Sequence, residues 1–121
     1  MSKKILICDD EEGVRESLKL ILSDHFDLIV TDSAQQCLDV LKTQNGNLGL
    51  VLLDIRMPKM SGLDVLSVIK EKSPKLPVVM VTGYHAVQAA SESSIRGASA
   101  YLTKPLKRED VLATAQKWIL K

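Results

Sequence analysis

No sign of charge dominates this sequence. Lys and Arg number 16 and Asp and Glu 15, for a net charge of +1, so the broad basic face needed to wrap nucleic acid is missing. Cysteine is nearly absent. Cys8 and Cys37 have neither zinc-ligand spacing nor the framework of a disulfide-stapled domain, and Cys8, inside an apolar run, reads as a small buried hydrophobe. Long apolar stretches are lacking too. The basic opening Met1-Ser2-Lys3-Lys4 leads only into the apolar residues 5–8, too short for a signal peptide or a membrane span; a reducing, cytoplasmic compartment is the expectation. No linker, internal repeat or low-complexity segment interrupts the chain. Residues 1–121 therefore read as one domain, long enough to bury a core. With 45% hydrophobic and 26% charged residues, the composition sets aside disordered, collagen-like and membrane classes.

What is present is an alternation. Short apolar runs at 5–8, 28–31, 48–53, 78–81 and 100–103 fit strands buried on both faces. Between them apolar residues recur at helical spacing: Val14, Leu18, Ile21 and Leu22, then Ala34, Cys37, Leu38 and Leu41, then Leu63, Val65, Leu66, Val68 and Ile69. A fourth, weakly amphipathic segment rich in Ala and Ser covers 86–95, and a fifth covers 106–120 with Val111, Leu112, Ala115, Trp118 and Ile119 inward. Asp32-Ser33 and Ser61 are placed to cap the second and third helices. Asn45-Gly46 would end the second, with Gly46 in the C′ role; Ser73-Pro74 closes the third, and Pro77 opens the next strand. Five strands alternating with five helices predict an α/β fold, a doubly wound parallel sheet with helices on both faces. In such folds ligands bind beyond the carboxyl ends of the strands.

Those ends carry polar groups. The first strand runs into Asp9-Asp10, the third into Asp54, the fourth into Thr82 and the fifth into Lys104-Pro105, while Thr31-Asp32 after the second reads as a helix cap. Carboxylates gathered this closely cannot all stay ionised without a counter-charge. Mg²⁺ takes oxygen ligands and is commonly held by one or two carboxylates together with phosphate oxygens. Lys104 adds a compact positive charge, and Thr82 a hydroxyl donor. A carboxylate, a cation, a lysine and a hydroxyl are the parts needed to place a phosphoryl group on a carboxylate. Singly, each residue has an ordinary reading. Asp54 is a strand-end acid, Asp9 and Asp10 suit the first helix's N-terminus, and Thr82 and Lys104 are a strand-end hydroxyl and a solvated amine. Tyr101 is a half-buried strand tyrosine. His25 and His85 have no partners in the pattern and read as surface residues.

The set resembles the receiver domain of bacterial response regulators (CheY-like). The matching pieces are Ile7-Cys8-Asp9-Asp10-Glu11, the run Leu52 to Gly62 around Asp54 and Met57-Pro58, Val79-Met80-Val81-Thr82-Gly83, Gly97-Ala98, and Tyr101-Leu102-Thr103-Lys104-Pro105. The resemblance covers essentially the whole chain. It implies a flavodoxin-like three-layer sandwich with strand order 2-1-3-4-5. It also implies that Asp54 accepts phosphate from a histidine kinase. Asp10 and Asp54 would ligate Mg²⁺ by side chain, Arg56 by its backbone carbonyl and Asp9 through a water. Lys104 would contact a phosphoryl oxygen. Thr82 and Tyr101 would be switch residues, and the Lys104-Pro105 bond cis. Output would pass through the fourth helix, fifth strand and fifth helix to an output domain or effector, with homodimerisation on phosphorylation as a further implication. No direct contact of this domain with nucleic acid or membrane is expected, and no enzymatic activity beyond Mg²⁺-dependent self-phosphorylation and autodephosphorylation.

Arg56 and Tyr84, each two residues past a site residue, should flank the path of water to an acyl phosphate, and Gly83 should leave the pocket open to a donor. A phosphatase of the haloacid dehalogenase type would need Asp-x-Asp after the first strand, where Asp9-Asp10-Glu11 stands, and a longer chain. A flavodoxin-like flavin site would need a phosphate loop where Asp9-Asp10-Glu11-Glu12 would repel one. A degenerate receiver is opposed by the complete set of Asp9, Asp10, Asp54, Thr82 and Lys104. Both a single-domain regulator and a receiver cut from a longer protein fit the chain. The opening Asp9 to Arg15 and the segment Thr82-Gly83-Tyr84 resemble receivers that precede ATPase-type transcription activators.

Overall fold

The computed structural model describes residues 3–83 and 97–120. The expected fourth helix at 86–95, with Tyr84 and His85, lies outside the described residues.

β1 (Lys4–Cys8), β2 (Leu28–Thr31), β3 (Leu48–Asp54), β4 (Val78–Thr82) and β5 (Ala100–Thr103) form one sheet in the order β2-β1-β3-β4-β5. Every pairing is parallel. The four helices among the described residues are α1 (Glu12–Leu22), α2 (Ala34–Gln44), α3 (Gly62–Lys72) and α4 (Arg108–Trp118). The doubly wound architecture is thus the one the alternation predicts.

Strand periodicity divides the core in two. Leu6, Cys8, Val51, Leu53, Val78 and Met80 face one side and pack with α2 and α3 through Cys37, Leu41, Leu66 and Ile69. Ile5, Ile7, Leu50, Leu52, Val79 and Val81 face the other and meet Leu18, Leu22, Val111 and Ala115 of α1 and α4. All seven residues of β3 are buried, as the central strand of a two-faced sheet must be. Cys8 and Cys37 are buried free thiols in the first of these cores.

Helix ends follow local chemistry, with two departures from expectation. Ser61 caps α3, its hydroxyl accepting from Leu63 N–H at 3.1 Å, and Ser33 Oγ accepts from Gln36 N–H at 3.2 Å at the start of α2. Gly46, however, is not a left-handed C′ residue: α2 stops at Gln44 and passes through a single 3₁₀ turn, Asn45–Asn47, and Gly97 is the glycine with positive φ among the described residues. The tighter i→i+3 turn takes up the last carbonyls and delivers the chain straight into β3, so no reversal is needed. The expected helix 106–120 is shorter. Extended backbone at Lys107 and Ile119 bounds α4, and Leu120 N–H donates instead to Gly49 O at 2.9 Å.

Candidate functional site

Register brings the site together. The strand order turns back between β1 and β3, where ligand crevices form in doubly wound sheets. Cys8 pairs with Leu53, so the next residues, Asp9 and Asp54, emerge side by side. Asp54 lies opposite Val81, and Thr82 opposite Thr103, which puts Thr82 and Lys104 on the same edge. Lys104 N–H donates to Thr82 O at 2.7 Å, and the Lys104–Pro105 peptide bond is cis.

One carboxylate oxygen from each of Asp9, Asp10, Glu11 and Asp54 lies within 4.8 Å of the others. Asp9 and Asp54 are only 1% and 3% exposed, whereas Asp10 and Glu11 face solvent. The Lys104 ammonium stands 3.6 Å from Asp54 Oδ1, 3.4 Å from Asp9 Oδ2 and 2.9 Å from Glu11 Oε1. Four carboxylates against this ammonium leave a net negative centre. Burial, and then the neighbouring Asp9 charge, push the Asp54 carboxyl up from 3.8 to about 7. Burial likewise raises Asp9. For Lys104, burial pulls downward, but the Glu11 hydrogen bond and the Asp54 and Asp9 charges outweigh it and raise its pKa.

The two oxygens of Asp54 differ. Oδ1 accepts from Arg56 N–H at 3.2 Å and faces Lys104; Oδ2 accepts no hydrogen bond among the described residues. Asp9 Oδ1 accepts from Glu11 N–H at 2.9 Å, while its Oδ2 has only the 3.4 Å ion pair with Lys104. Buried, unsatisfied carboxylate oxygens beside solvent-facing ones form a hard-oxygen donor set, which fits a divalent cation such as Mg²⁺. The cluster opens onto a surface depression lined by Asp10, Arg56, Met57 and Lys59.

Glycine matters twice here. Gly62 opens α3 with its N–H on Ile55 O at 2.9 Å. A Cβ there would collide with the carbonyl oxygen of Asp54, so a close backbone approach, not an unusual dihedral, selects the residue. A Cβ at Gly83 would lie 3.2 Å from Lys104 Cβ and 3.3 Å from its Cδ. Gly83 therefore lets the Lys104 stem run along its backbone toward the acids. Thr82 is 5% exposed, Tyr101 is 46% exposed on β5, and Arg56 and His25 are exposed. Tyr84 lies outside the described residues.

Two contributors had no signal in the sequence. Arg15 donates from Nη1 to Asp9 O at 2.9 Å and ties α1 to the loop after β1. Glu11 follows the two aspartates with no role that the pattern assigns, yet it holds the Lys104 ammonium across 93 positions of chain.

The class of protein follows from comparison with known proteins. The response regulator receiver domain family matches residues 5–116, and the chain belongs to that family, the phosphoryl-accepting receivers of two-component signalling. It is 37% identical over 114 residues to the response regulator protein FleR of Pseudomonas aeruginosa, covering 93% of this chain and 24% of FleR. It is 34% identical over 116 residues to the DNA-binding transcriptional regulator NtrC of Proteus hauseri, covering 95% of this chain and 24% of NtrC. The chain thus spans about a quarter of the length of these relatives. A receiver domain crystal structure from Clostridium thermocellum superposes with a TM-score of 0.91 at 30% identity, covering 97% of this chain and 94% of that one. No helix among the described residues is long and apolar enough to cross a membrane.

Proposed function

We propose that residues 1–121 form a single cytoplasmic receiver in which Asp54 is the phosphoacceptor and a sensor histidine kinase is the donor. The observation that carries this is the Asp54 carboxylate, buried at the strand edge, with Oδ1 3.6 Å from the Lys104 ammonium and Oδ2 without a hydrogen bond among the described residues. An oxygen of Asp54 attacks the phosphorus of the phosphohistidine. The new P–O bond forms as the P–N bond breaks, and the imidazole leaves with the electron pair. Attack by water later returns the carboxylate and releases phosphate. Mg²⁺ held by Asp10, Asp54 and the Arg56 carbonyl, with Asp9 acting through a water, would neutralise the carboxylate and phosphoryl charge. Lys104 supplies a second positive contact to a phosphoryl oxygen. Small phosphodonors suffice in place of the kinase, because the acidic site and Lys104 belong to this chain.

The Thr82 hydroxyl then donates to the phosphoryl group and Tyr101 turns inward from its half-exposed position. These shifts alter the surface of β5 and α4, which engages an output domain or effector, or a second copy of the chain. Control of transcription is the output favoured by the relatives, among them NtrC and the cell cycle transcriptional regulator CtrA of Caulobacter vibrioides.

The test is incubation with acetyl phosphate and Mg²⁺, followed by intact-mass measurement. One phosphoryl group is expected on the wild type, none with EDTA and none on Asp54→Ala; phosphorylation of Asp54→Ala would place the acceptor elsewhere. Arg56 and Tyr84 shield the acyl phosphate from water, so Arg56→Ala and Tyr84→Ala are each expected to speed dephosphorylation several-fold. Unchanged decay in both variants would remove the shielding role.

A further inference from the structure

Within the reading of Asp54 as acceptor, one residue that reading does not use stands at the centre of the resting contacts. Lys104 is nearest not to Asp54 but to Glu11. The Nζ–Oε1 distance is 2.9 Å, against 3.6 Å to Asp54 Oδ1 and 3.4 Å to Asp9 Oδ2. Of the three, only the Glu11 contact has hydrogen-bond length.

This placement is built, not incidental. Glu11 N–H is fixed on Asp9 Oδ1 at 2.9 Å. Glu11 O accepts from Arg15 N–H at 3.1 Å, and Arg15 Nη1 holds Asp9 O at 2.9 Å. The loop between β1 and α1 is thereby tied at both ends, with Glu11 as the extended residue just before α1. Glu11 caps nothing with its side chain, and its carboxylate goes to Lys104. On the other side, the bare backbone of Gly83 fixes the path of the Lys104 stem. The Lys104 side chain is 15% exposed, the Glu11 side chain 60%.

We infer that Glu11 is a resting-state latch on Lys104, a positioning residue that competes with the phosphoryl group for the ammonium. On phosphorylation Lys104 exchanges the Glu11 carboxylate for a phosphoryl oxygen, and Glu11 is released to water. Because Glu11 is mostly exposed, the contact is weak enough to break and strong enough to bias the equilibrium. Glu11 thus restrains formation of the phosphorylated state.

Beryllofluoride binding, measured calorimetrically at saturating Mg²⁺, tests this, since the anion takes the phosphoryl position without chemistry. Glu11→Gln is expected to tighten binding by roughly two- to five-fold, the range of an exposed ion pair. Loss of one negative charge could by itself favour an anion, so the measurement is repeated in a Lys104→Gln background. There the gain from Glu11→Gln should vanish, because a latch acts only through Lys104. Equal gains in both backgrounds, or no gain in either, overturn the latch. Failure of the wild type to bind beryllofluoride at all would instead count against Asp54 as acceptor.

Discussion

Gly62→Ala is expected to destabilise the protein by about 3 kcal/mol and to abolish Mg²⁺-dependent phosphorylation in whatever remains folded. The new Cβ would overlap the carbonyl oxygen of Asp54 and lie 2.8 Å from its carbonyl carbon and 2.9 Å from Ile55 Cα. These are backbone atoms at the end of the central strand, which is buried along its whole length and cannot yield as a side-chain tip would. Relief must come from lifting α3, and that breaks the Gly62 N–H bond to Ile55 O and moves Asp54. Gly13 is the matched control. It lies in α1, and a methyl added there would meet nothing within 4 Å, so alanine should stabilise by up to about 1 kcal/mol. Urea unfolding of both variants checks the contrast; a Gly62→Ala protein as stable and as readily phosphorylated as wild type would mean that α3 does not bear on the acceptor.

The second large effect concerns charge. Asp54→Asn should make the metal-free protein more stable at about pH 8, by up to about 4 kcal/mol, while removing most stabilisation by Mg²⁺. Asp54 is pushed up from 3.8 to about 7, so the folded state holds its proton more tightly than the unfolded chain. The group is therefore harmless to the fold below about pH 4, and its destabilising effect grows as pH rises through about 7. The gap between Asp54→Asn and wild type should open over that window and be nearly closed at its acid end. Mg²⁺ at a hundredfold excess over its dissociation constant should stabilise wild type by about 2.7 kcal/mol, and the amide variant far less. Denaturation in EDTA and in Mg²⁺ at both ends of the window reads this out. A pH-independent gap would show that burial and Asp9 do not strain this carboxylate, and equal stabilisation of both proteins by Mg²⁺ would show that Asp54 is not a metal ligand.

The residues that were legible in the sequence are those whose position follows from backbone regularity. Asp9, Asp54, Thr82 and Lys104 lie at the ends of strands whose apolar runs are unmistakable, and parallel pairing puts such ends on one edge. Gly46 misled because Asn-Gly after a helix signals a left-handed cap, whereas the chain here had only to step into β3. Gly62 was noticeable, but its reason, contact with the Asp54 carbonyl, exists only once α3 sits against β3. Glu11 was illegible as a partner. Its meeting with Lys104 depends on side-chain paths set by Asp9, Arg15 and Gly83 across 93 positions, and no local pattern encodes that.

Phosphate is expected on Asp54 and on no other acid of the cluster. Phosphorylating the protein with acetyl phosphate and Mg²⁺, then reducing it with borohydride, converts an aspartyl phosphate into homoserine at the acceptor position alone. Peptide mass mapping should find homoserine at residue 54 and unmodified aspartate at 9 and 10. Homoserine at residue 9 or 10, or a phosphorylated protein that yields none, would contradict Asp54 as the acceptor.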